Sequence, residues 1–162
     1  MDGSPLMKRL RRWFDLLLSS SKPMPGEVAP DEELSRWVKD ERDVVQLAQV
    51  VKHTTLMPRV EEGGRPETSV CRSSGLKDAT IWQRCSEFFD STAPRKAIGR
   101  GVALASTVYD EALSIEPNGD PYPEHADIVG WPFDAAVPYE TNKQLWKIKA
   151  QSMAPHFRFV RR

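Results

Sequence analysis

Apolar residues at the start of the chain recur at three- and four-residue spacing. Leu6, Leu10, Trp13, Phe14 and Leu17 share one face of a helix over 6–18, and Lys8, Arg9, Arg11 and Arg12 occupy the remainder. The pattern predicts an N-terminal basic amphipathic helix within residues 1–20. It suits docking on this protein's own domain or on a partner, and it also suits peripheral contact with an anionic membrane surface. A linker at 21–30, rich in proline and small residues, follows. The acidic start of DEELSRWVKDERD, with Leu34, Trp37 and Val38 at helical spacing, predicts a second helix opening at Asp31.

The pattern then changes period. β-branched residues and alternation predict a strand from Val50 to Met57, and ETSVCR a second strand after a loop containing Gly63 and Gly64. Two short strands so separated read as an antiparallel hairpin. Asp78 is expected to cap a helix presenting Ile81, Trp82, Cys85, Phe88 and Phe89. GRGVALAS reads as a strand, STVYDEA as a turn of helix, and LSIEP and ADIVGW as strands. A last helix, from about Thr141 to Met153, carries Leu145, Trp146, Ile148 and Met153, and HFRFVRR forms a basic tail or edge strand. Strands and helices do not alternate strictly. The expectation is therefore an α+β fold: a small, mostly antiparallel sheet with helices packed on it, making one domain over 31–162.

Composition narrows the setting. Lys plus Arg equals Asp plus Glu at 23 each, which argues against a nucleic-acid coat. Two cysteines make no disulfide framework, and the simpler reading is a reducing, cytoplasmic compartment. No apolar run reaches the ~18 residues of a membrane span. The leader resembles a signal peptide, but its apolar part is short and Asp15 interrupts it, so it reads as retained.

No phosphate-binding glycine loop, Gly-x-Ser-x-Gly or Cys-x-x-Cys is present. The scarce reactive side chains are Cys71, Cys85, His53, His125 and His156. A hairpin loop centred on Glu62 sets His53 opposite Cys71 and Met57 opposite Glu67, with Glu67, Ser69 and Cys71 on one face. Opposed Cβ atoms lie about 5 Å apart, close enough for an imidazole to raise the thiolate fraction of Cys71. The competing reading makes Cys71 a small buried hydrophobe. Cys85, between Trp82 and Phe88, reads as core. His125 stands where a loop enters a strand, beside Glu124. His156 suits a helix C-terminus. Cysteine, two histidines and a carboxylate also make an acceptable zinc set, though not at a standard spacing. Arg72, Arg100 and Arg95 with Lys96 suit phosphate binding, although scattered arginines are more often solvated surface.

The segments VVKHTTLMPR, ETSVCRSSGL and PEHADIVGW supply His53, Glu67, Cys71 and His125. In these residues the chain resembles, over roughly 44–160, the bacterial CEHH proteins, called so after a cysteine, a glutamate and two histidines. Glu124 is a substitute for Glu67 in that set, and His156 for either histidine. The resemblance implies an accessory role in a bacterial ubiquitin-like modification or phage-defence system. The implied partner is a ubiquitin-like protein or a conjugation enzyme. Cys71 would be a nucleophile or thioester carrier, with His53 or His125 as base. The alternative is a non-catalytic interaction module that recruits a protein partner through its N-terminal helix.

Overall fold

The computed structural model describes residues 26–61 and 64–162. The expected helix over 6–18 and the first part of the expected linker lie outside the described residues. Residues 26–30, assigned to that linker by sequence, belong to the fold. Val28 is buried in the core, and the Tyr109 hydroxyl donates to its carbonyl at 2.6 Å.

Among the described residues, nine strands form one antiparallel sheet. They are β1 (Glu33–Val38), β2 (Val44–Val45), β3 (Val50–Val51), β4 (Arg59–Val60), β5 (Pro66–Arg72), β6 (Gly99–Leu104), β7 (Ser114–Pro117), β8 (His125–Val129) and β9 (Arg158–Arg161). Their order is β2-β3-β9-β6-β1-β5-β8-β7, and β4 lies beside the start of β5. The helices are α1 (Asp78–Arg84), continued by a π-helical turn Cys85–Phe89, then α2 (Ser106–Tyr109) and α3 (Tyr139–Met153). The chain is thus α+β with an antiparallel sheet. No helix of the described residues is long and apolar enough to cross a membrane.

The segment opening at Asp31 is a central strand, not a helix. β1 pairs with β6 over Glu33–Val38 and with β5 at Leu34 and Ser35. Both of its faces are covered, so Leu34, Ser35, Trp37 and Val38 are all buried and the period-two signature of a half-buried strand is lost. What remains in the sequence, Leu34-Trp37-Val38, mimics a helix face. Ladder hydrogen bonding overrides that local preference.

The expected strand over 50–57 is also broken up. β3 ends at Val51, His53–Thr55 is a 3-10 turn, and β4 is only Arg59–Val60. β4 pairs with β5 in the register Arg59↔Glu67, whereas β3 pairs with β2 and β9. The tail HFRFVRR supplies β9, an interior strand between β3 and β6.

The sheet separates two apolar clusters. Leu34, Val38, Val70, Ile128, Trp146 and Phe157 lie in the larger one, which α3 helps to form. α3 buries Asn142, Trp146, Ala150 and Met153, while Leu145 and Ile148 are exposed. Trp37, Cys71, Ile81, Cys85 and Tyr122 form the smaller cluster with α1. Asp78 makes no cap bond and instead meets Arg100 Nη2 at 3.0 Å. Arg100 and Arg72, read as surface from sequence, are buried. Arg72 clasps Glu32 with two bonds of 2.6 and 2.9 Å.

Candidate functional site

β5 and β8 bring the site residues together. Cys71 pairs with His125 and Ser69 with Asp127, and β1 places Ser35 on the other side of Cys71. Directly paired residues project to one face, so Glu67, Ser69, Cys71, His125 and Asp127 share it. The partner that the sequence assigned to Cys71 is therefore corrected. His53 sits in the 3-10 turn next to α3, beside Lys147, away from the Cys71 face. Burial lowers the His53 pKa, and Lys147 and Lys52 lower it further.

Cys71 has no exposed surface and lies in the smaller apolar cluster. Burial pushes its thiol up to about 12, and the negative charge of Glu124 acts the same way against Arg100 and Arg84. Its sulfur makes a long contact of 3.9 Å to the Arg72 carbonyl. Such a thiol is scarcely ionised near neutrality, and the thiolate is the nucleophilic form. Cys85 is likewise buried and raised to about 12, by burial first and then by Asp90.

His125 is held by the loop that precedes β8. Its Nδ1 lies 2.6 Å from Asn118 Oδ1, and Asn118 Nδ2 donates to Asp127 Oδ2. The amide oxygen only accepts, so Nδ1 carries the proton and Nε2 keeps its lone pair. Nε2 is 4.0 Å from Asp127 Oδ1, and the Tyr122 ring meets the imidazole edge-on at 5.3 Å. Burial lowers the His125 pKa, while Asp127 opposes the shift. Burial raises the Asp127 pKa, with His125 opposing. Glu67 is partly exposed and bonds Arg65 at 2.7 Å. Glu124 is buried and bonds Arg84 at 3.0 Å, a structural tie. His156 is exposed in the turn after α3.

Glu67, Ser69, Tyr122 and His125 line a cleft of about 330 Å³ that the sequence did not reveal. It opens where β1 and β5 part beyond their two paired positions. Arg36 fills the gap, with Nε donating to the Thr55 carbonyl at 3.0 Å and Nη1 to the Ser69 carbonyl at 2.7 Å. Its pKa is pulled down to about 10, first by burial and then by the like charge of Arg59. Arg59 on β4 is exposed on the cleft rim. Among the described residues neither arginine forms an ion pair, whereas nearby Arg65 meets both Glu67 and Glu116. The half-buried Phe88 and Phe89 also line the cleft.

No family model, no curated protein and no solved structure matches this chain.

The zinc set of the sequence reading does not assemble. Among the described residues no group of three His, Cys, Asp or Glu side chains is placed to hold a metal ion. The sequence also missed Asp127, Asn118, Arg36 and Arg59. Asp127 was within reach, since two positions along a strand from His125 share its face. Asn118 was visible only as a turn signal. Arg36 was hidden on an expected helix.

Proposed function

We propose that this chain is a non-catalytic binding component whose ligand seats in the cleft between β1 and β5. On the resemblance to CEHH proteins, its setting is a bacterial ubiquitin-like modification or phage-defence system, in which it acts as an accessory component. A ubiquitin-like protein or a conjugation enzyme is its partner there. The observation that carries the binding reading is the pair Arg36 and Arg59. Two guanidinium groups repel one another at the mouth of an aromatic-lined cleft, while Cys71, the thiol paired with His125, has no exposed surface.

One observation favours a second reading. The register sets Cys71 opposite His125, with Glu67 further along the same face, which is the arrangement an acyl-carrying cysteine would use once opened to solvent. Thiol labelling with an aromatic disulfide reagent near pH 7, in a Cys85→Ala background, separates the two. The binding reading expects Cys71 to react only as fast as the protein unfolds, and Cys71→Ala to stay folded. Rapid labelling of Cys71 in the native protein would overturn it in favour of the nucleophile.

A further inference from the structure

The cleft presents more than a positive charge. Arg36 uses Nε and one hydrogen of Nη1 on two backbone carbonyls, which fixes the guanidinium plane, and its other donors bond nothing among the described residues. Arg59, across from Glu67 in the β4–β5 ladder, approaches from β4, and among the described residues its side chain makes no hydrogen bond or ion pair. The nearby acids differ in availability. Glu67 is held by Arg65, and Glu61 is exposed on the rim. The far wall comes from the π-helical turn, which delivers Phe88 and Phe89 side by side. π-helical turns recur at functional sites. Phe88 packs against Tyr122 at 5.2 Å, and Lys39 Nζ lies 5.7 Å from the centre of the Phe89 ring.

We infer that this cleft binds a nucleoside monophosphate, with the phosphate between Arg36 and Arg59 and the base against Phe88 and Phe89. The inference rests on the cleft being the ligand site, as proposed above. Three features select this chemistry. A phosphate monoester is close to a dianion at neutral pH, and it matches two guanidinium groups that form no ion pair among the described residues better than a single carboxylate does. Base faces stack on aromatic side chains regardless of sequence. A volume of about 330 Å³ sits at the small end of ligand pockets, with room for one base and one phosphate rather than a folded partner segment.

The test is calorimetric titration of the full chain with the monophosphates of adenosine, guanosine, cytidine and uridine, with adenosine, with inorganic phosphate, and with phthalate. At least one monophosphate is expected to bind about tenfold or more tighter than adenosine or phosphate alone. Arg59→Gln, at an exposed side chain that bonds nothing among the described residues, should keep the fold and weaken that monophosphate by about tenfold or more. Phe89→Leu should weaken the monophosphate but not inorganic phosphate. A monophosphate that binds no better than phosphate, or as well to Arg59→Gln as to the native chain, overturns the inference. Arg59-dependent binding of phthalate without any monophosphate also overturns it, yet leaves the cleft as a ligand site. Binding of none of these anions removes both.

Discussion

Cys71 and His125 stand directly across from each other on β5 and β8, with side chains on the same face of the sheet. Neither is placed to serve the other in the native state. The sulfur is enclosed by Trp37, Ile81, Cys85 and Tyr122, and the imidazole commits Nδ1 to Asn118. Proximity along a ladder thus supplies a thiol and a base on one face, while packing keeps the thiol protonated.

That enclosure has a pH signature. Cys71 and Cys85 are raised from an ordinary value of 9.0 to about 12. Above the ordinary value the unfolded chain releases thiol protons that the folded chain retains, so stability falls as pH rises. Below about pH 8 the thiols contribute no slope. Between roughly pH 9 and 11 each should cost about 1.4 kcal/mol per pH unit. Urea midpoints measured from pH 8 to 10.5 check this. The loss should flatten in the Cys71→Ala/Cys85→Ala protein, and an unchanged slope there would acquit the thiols.

The clasp between Arg72 and Glu32 ties the segment before β1 to the end of β5. Its side chains are only 4% and 11% exposed, with bonds of 2.6 and 2.9 Å. Removing the carboxylate from a buried pair takes away the charge-assisted bonds that offset the desolvation of the guanidinium. Glu32→Gln should therefore lower stability by about 3 kcal/mol in chemical denaturation. The exposed pair of Arg161 and Glu41 supplies the contrast, and Glu41→Gln should leave the midpoint almost unmoved. Equal effects of the two changes would contradict the distinction drawn from burial.

Gly101 in β6 is fixed by a close approach rather than by its backbone angle. A Cβ there would lie 2.6 Å from Val51 Cγ1 and 3.5 Å from Phe157 Cβ. Gly101→Ala should cost about 1–3 kcal/mol by overpacking. Trimming the neighbour tests the cause: in a Val51→Ala background the same change should cost clearly less, a coupling that a double-mutant cycle reads directly. Additive costs would place the penalty elsewhere.

Local patterns carried several elements. The apolar face Ile81, Cys85, Phe88 with Trp82 marks the helix at 78–89, and Pro138 and Pro155 bracket α3. The strands around Val102, Ile115 and Ile128 were readable as short apolar stretches between turn residues. Glu67, Ser69 and Cys71 were placed on one face because side-chain alternation follows from strand geometry alone. β1 was misread because burial on both faces erases alternation, and the strand at 50–57 because its fragments answer to different neighbours.

The sequence by itself determined the class of fold and most of its elements, since periodicity and turn residues act over a few positions. Only the tertiary structure decided which reactive side chains meet. Ladder partners come from strands far apart in the chain, and a register differing by two residues replaces Met57 with Arg59 opposite Glu67. The cleft is likewise a product of the whole sheet, because it exists only where β1 and β5 part and Arg36 bridges the gap.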